Sequence, residues 1–282
     1  MLEMLFNPKR AERHPWEMFF VGLLYAGLSM VLANVLFADN PVFSKHISIL
    51  LITFTVMFSL PFFYFIIKLE ERSSHDSSKE NLWTRHERAI SALMWLFLGF
   101  VVAFSLGYIL FPSAIANTFQ AQIEQYCSIN MPSQFNDCVS RYGGAFAGAA
   151  TSKDYAMNIF VNNVYVLIFS LIFSLIFGAG AIFILAWNAS VIATAIGIFS
   201  RASLPNLPIS LARYLIHGIP EIAAYFVAAL AGGIMSVALI KHDANDDNFW
   251  NIMKDAVDLI LVSIVLLVIG VAIEVLVTPR LF

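Results

Sequence analysis

Charge is what this 282-residue chain has least of: only 12% of its residues are Asp, Glu, Lys or Arg. A soluble domain carries about 25%, so roughly half the usual solvating charge is missing. A water-soluble globule is excluded. Cysteine is nearly absent too, with two residues in all, which rules out a disulfide-dense secreted scaffold. There is no basic excess, since the net charge is −3 and the pI is near 6.0, so nothing points to nucleic acid as a partner. Catalytic signatures are missing as well. The chain has no HExxH zinc pattern, no GxSxG nucleophile turn and no phosphate-binding loop, and an enzyme is not expected. No cofactor is implied, and no third ligand stands near HGIPE to complete a metal set.

What the chain does have is long apolar runs. Met18–Ala38 and Ile47–Ile67 carry no charge, and neither do Ala89–Ile123, Ala156–Ser200, Ile222–Ile240 and Leu259–Ile273. About 20 apolar residues cross a bilayer as a helix. The fold class is therefore all-α, a polytopic transmembrane helical bundle in a lipid bilayer. The first run has no small-residue cleavage site and reads as an anchor rather than a removable signal.

The division that fits best has seven spans: about 17–38, 47–69, 90–111, 157–177, 181–200, 214–240 and 256–277. As one helix, Ala156–Ser200 would measure about 68 Å, so it must fold back, and Gly178-Ala179-Gly180 is the expected turn. Basic residues set the orientation. Lys9, Arg10 and Arg13 precede the first span, and Lys68, Arg72, Lys79, Arg85 and Arg88 follow the second, with only Lys45 between. This predicts a cytoplasmic N-terminus in the cell membrane and an external loop at 112–155. Six spans plus a re-entrant segment is the alternative; seven is preferred because 181–200 is long enough to cross.

Two units follow from this layout. Residues 1–88 hold the N-terminus, a two-span hairpin and a polar cytoplasmic loop at Lys68–Arg88. Residues 89–282 hold five spans and the external loop. That loop contains both cysteines, Cys127 and Cys138, with ten residues between them. On an oxidising face a disulfide is expected, constraining the unfolded chain by about 3 kcal/mol; two free thiols in a reducing setting is the alternative. Before Cys127, Ile115, Phe119, Ile123 and Tyr126 recur at helical spacing, which suggests a short helix lying on the outer leaflet. Gly143–Gly148 reads as a linker.

The most distinctive polar feature is in HGIPEIAAYFVAALAGG. His217 and Glu221 are four residues apart, on one helical face, and Arg213 would extend the stripe by a turn. Pro220 implies a kink there, or else the first turn of a helix, and Gly218 permits either. Asn162, Asn163 and Asn188 are the other candidates for an intramembrane polar motif. Ala224, Ala228 and Gly232 form a small-residue ridge suited to close helix packing.

NIFVNN at 158–163, WNASVIATAIG at 187–197 and above all HGIPEIAAYFVAALAGG at 217–233 resemble the stage II sporulation protein M family of integral membrane proteins. The resemblance covers about Leu93–Phe282 and implies one span, an external loop and four further spans. Where family members often have Asn-Gly, this chain has Asn188-Ala189. In endospore formers the named member anchors cell-wall-degrading partners. The family is more distantly similar to ABC-2-type permeases. Two functions follow as expectations: a non-enzymatic membrane scaffold or anchor for membrane or extracytoplasmic proteins, or a permease subunit for a lipid-linked or small hydrophobic substrate. A homo-oligomer is compatible with both.

Overall fold

A computed structural model describes residues 13–75, 82–111, 115–131, 134–142, 152–178, 180–200, 203–241 and 247–281. Gly143–Gly148 and Ala179 lie outside the described residues. Every regular element among those described is helical. The helices are α1 (Glu17–Phe37), α2 (Ile47–His75), α3 (Leu82–Leu110), α4 (Ile115–Thr118), α5 (Gln120–Asn130) and α6 (Phe135–Tyr142). They continue with α7 (Ser152–Phe177), α8 (Ala181–Phe199), α9 (Leu207–Lys241), α10 (Asp247–Leu276) and α11 (Thr278–Leu281).

Seven of these are long and apolar enough to cross a membrane: α1, α2, α3, α7, α8, α9 and α10. Helices are what such sequences must form, because hydrocarbon offers no partner to a free backbone group. Hydroxyls inside the spans follow the same rule. Ser29 donates to the Tyr25 carbonyl at 2.6 Å, Thr55 to Leu51 at 2.8 Å and Thr194 to Ser190 at 2.9 Å. The chain is a multi-pass membrane protein, with seven candidate spans among the described residues.

Helix α8 is one continuous helix packed on α3, α7, α9 and α2, so the re-entrant alternative fails. The turn before it falls at the expected glycines. Gly178 adopts φ +63°, a conformation that ends helices at little cost when no Cβ is present, and its carbonyl accepts the Ser174 hydroxyl at 2.6 Å.

At the bundle's centre stands α9, with 78% of its most apolar window buried, against 17% for the α10 span. It packs most extensively on α10 and α7, and also touches α8, α2 and α3. On α10, Val257, Leu261, Ile264, Val265 and Val268 are exposed at helical spacing while Leu259 and Leu267 are buried, the pattern of a helix with one face toward lipid. The hairpin is no loose appendage: α1 packs along α3, and α2 reaches α8, α9 and α10.

Three expectations are corrected. The polar loop at Lys68–Arg88 is much shorter than expected, because α2 runs on to His75 and α3 begins at Leu82. A buried hydrogen bond between Glu70 and His86 joins the two helices there. The helix expected on the outer leaflet is instead α4 and α5, broken at Phe119, and its apolar face meets protein. Phe119 and Ile123 are buried, and the Phe119 ring lies 5.6 Å from Tyr108 and 6.5 Å from Phe104, both on α3. Finally, α9 starts seven residues earlier than expected and runs unbroken through Pro220, so neither Pro220 nor Gly218 begins a helix. Pro220 sits in the helix interior, where its ring nitrogen offers no donor to the Ile216 carbonyl.

Candidate functional site: a polar cavity between four spans

Helical spacing on α9 puts Tyr214, His217, Gly218, Glu221, Ile222 and Tyr225 along one stripe, and that stripe lines a cavity of about 120 Å³. Facing it are Asn162 and Asn163 from the first half of α7, Asn188, Val191, Ile192 and Ala195 from α8, and Glu274 from the end of α10. Tyr126 and Ile129 of α5 complete the lining. Five elements therefore meet at the end of the bundle that carries α5 and α6. All four spans contribute from that same end, as alternating up-and-down crossings require.

Several of the polar groups are held in place. His217 Nδ1 lies 3.2 Å from the Thr278 hydroxyl, and its Nε2 lies 3.8 Å from Glu274 Oε1. Thr278 in turn donates to the Ile273 carbonyl at 3.3 Å. Asn188 donates to the Ile184 carbonyl of its own helix at 2.7 Å, and Asn162 donates to Asn163 Oδ1 at 3.4 Å. The Glu221 carboxyl lies beside Glu274 and Asn163. Glu221 Oε1 and Asn163 Nδ2 make no hydrogen bond of good geometry, although their two side chains lie within reach of each other. Both residues are more than nine-tenths buried.

Of the sequence candidates, His217, Glu221, Gly218, Asn162, Asn163 and Asn188 all come together here. Arg213 does not line the cavity; its guanidinium lies over the Phe199 ring, 4.5 Å from the centroid. Ala224, Ala228 and Gly232 are buried further along α9, and Gly232 lies against the α7 backbone at Leu171. Cys127 and Cys138 form a disulfide between α5 and α6, with Cα atoms 5.7 Å apart. Sequence reasoning missed Glu274 as a member of the site. The signal was present, since Glu274 is the first charge after the uncharged run Leu259–Ile273, but its spatial partners lie more than fifty residues away. Thr278, Tyr214 and Tyr225 gave no signal of their own. Among the described residues no group of three His, Cys, Asp or Glu side chains is arranged to hold a metal ion.

A family model described as stage II sporulation protein M matches residues 89–279. The chain belongs to this family. Every residue lining the cavity falls inside the matched segment, while α1 and α2 precede it. An uncharacterized protein of Methanocaldococcus jannaschii is 35% identical over 128 residues, covering 44% of this chain and 70% of the relative. No solved structure matches. The name of that archaeal relative assigns it no role.

Proposed function

We propose that this stage II sporulation protein M family member is a non-enzymatic membrane scaffold that holds partner proteins through its α5–α6 cap. The observation behind this reading is how that cap is fixed. The Cys127–Cys138 bridge ties its two helices together, and Phe119, Ile123 and Cys127 seat it in the core of the bundle. A cap fixed on both sides presents a defined surface, and preorganisation of that kind lowers the cost of holding a partner. The distribution of Lys and Arg supports a cytoplasmic N-terminus, which puts the cap on the external face, where extracytoplasmic partners would be met.

A permease subunit is the second reading, favoured by the polar cavity at His217 and Glu221. Two observations weigh against the hydrophobic or lipid-linked substrate it would carry. Helix α9 is unbroken, and the cavity of about 120 Å³ is smaller than the roughly 300–1,000 Å³ of drug-sized ligand pockets. A gene for a soluble ATPase beside this one would favour the permease.

The test is crosslinking in native membranes followed by purification of the intact chain and of Cys127→Ser/Cys138→Ser. A scaffold recovers a reproducible partner set that shrinks in the double variant at equal protein levels. Recovery of no reproducible partner would overturn the reading.

A further inference from the structure

Donors and acceptors around His217 fix which of its two ring nitrogens carries a proton. Thr278 commits its single hydroxyl proton to the Ile273 carbonyl, so toward His217 Nδ1, 3.2 Å away, its oxygen is left to accept. The Arg213 carbonyl, one turn back on α9, also accepts from this ring, and a carbonyl can do nothing else. Nδ1 is therefore the protonated nitrogen. Nε2 faces Glu274 Oε1 at 3.8 Å. In a neutral imidazole protonated at Nδ1, Nε2 is a bare lone pair. A lone pair opposite a carboxylate oxygen is repulsive, so a proton belongs between the two.

A second proton is required one step deeper. The Glu221 and Glu274 carboxyls hydrogen-bond to each other, which two carboxylates, being acceptors only, cannot do without a proton between them. Charge gives the same count. Two carboxylates and a neutral imidazole reach zero net charge with two added protons, and buried groups resist a net charge. No Lys or Arg lines the cavity. The other titratable groups in its lining are Tyr214 and Tyr225 of α9 and Tyr126 of α5; α7 contributes only asparagines, and α8 one asparagine and apolar residues. Arg213 is the charged neighbour of His217 on α9, stacked on the Phe199 ring outside the lining. The cavity of about 120 Å³ is far larger than the roughly 10–15 Å³ that one water needs, so water can reach these groups.

We propose that Glu221, Glu274 and His217 form a proton-binding relay, in which the two carboxyls share one proton and a second, between Glu274 and His217, exchanges with water in the cavity. On release the second proton passes from Glu274 to His217 Nε2 and from there to water, leaving one negative charge on the carboxyl pair. Uptake reverses the step, and only O–H and N–H bonds form or break. Glu221 packs against Gly270, so the charge left by release falls on the seam between α9 and α10. The relay goes beyond the scaffold reading and does not depend on it.

The test uses the full chain in an ester-free detergent, with NMR of isotope-labelled histidine and infrared spectroscopy of the carboxyls. The His217 signal is assigned by its loss in His217→Gln. The expected result is an Nδ1 that stays protonated at every pH, with Nε2 alone gaining and losing a proton. The infrared spectrum shows the stretch of a hydrogen-bonded protonated carboxyl at neutral pH, weaker in Glu221→Gln and absent in Glu221→Gln/Glu274→Gln. Glu274→Gln moves the Nε2 midpoint by at least about one pH unit, tenfold in proton affinity. Glu124→Gln, on α5 but outside the lining, moves it far less. Three results from the wild-type chain would each overturn the proposal, whether or not the variants fold: a neutral His217 protonated at Nε2, an Nε2 that never titrates while the chain stays folded, or no protonated carboxyl at neutral pH. A folded Glu274→Gln chain with an unmoved Nε2 midpoint would overturn it too.

Discussion

Gly270 of α10 lies directly against Glu221 of α9: a Cβ at position 270 would run into the Glu221 side chain and approach its backbone nitrogen. The most extensive helix pair in the bundle therefore closes on a glycine at the very turn that carries the buried carboxyl. Glu274, four residues on along α10, is brought to the same site by the same approach. One missing methyl group thus sets both helix separation and site geometry.

Adding that methyl is expected to be costly. Gly270→Ala should destabilise the protein by about 1–3 kcal/mol, the usual cost of forcing a carbon into a packed interface, and should shift His217 and Glu274 apart. Gly218→Ala is the control. It stands one residue from His217, yet an added Cβ would meet only Ile222 Cδ1 at 3.7 Å, an ordinary contact. Inside a helix alanine is favoured over glycine by roughly 1 kcal/mol, so Gly218→Ala should be neutral or stabilising. Thermal unfolding in lipid nanodiscs separates the two; equal behaviour would remove Gly270 from its role.

A second close approach holds the hairpin to the rest of the bundle. Gly22 of α1 and Gly99 of α3 face each other, and a Cβ on either would meet the other glycine and the opposing backbone. Small residues drive such contacts between membrane helices by letting backbones pack. Gly22→Ala and Gly99→Ala should each cost about 1–3 kcal/mol. Because one displacement relieves both collisions, the double variant should cost clearly less than the sum. Additive losses in a double-mutant cycle would show that the two positions act separately.

Much of this fold could be read from the sequence, for a physical reason. Seven charge-poor stretches had to become helices, because lipid satisfies no backbone, and Gly178 had to end one of them because 45 apolar residues cannot cross once. The side-chain groupings were less legible. His217 and Glu221 could be paired because helical spacing is local. Glu274 joins them only through the α9–α10 packing, which no periodicity reveals. Arg213 has the right spacing for the stripe but turns to the Phe199 ring. Phe119 and Ile123 show the same ambiguity, since an apolar face at the membrane surface looks identical whether lipid or protein covers it. Pro220 permitted two readings, and only continuity of α9 over Leu207–Lys241 separates them.

The Glu70–His86 pair carries a different kind of prediction. Both residues are buried, they hydrogen-bond to each other, and they sit where α2 and α3 leave the apolar layer. Removing one partner leaves the other buried and unsatisfied, at a typical cost of 3–5 kcal/mol, whereas replacing both with packed apolar residues is often close to neutral. His86→Leu alone should therefore lower stability by about that amount. Glu70→Met/His86→Leu should recover most of the loss, because these apolar side chains fill comparable space with nothing left to pair. The contrast between single and double variants, read from unfolding in nanodiscs, isolates the interaction from the packing. If the double variant is as unstable as the single one, the pair is not what joins α2 to α3, and the apolar contacts between those helices must bear that role instead.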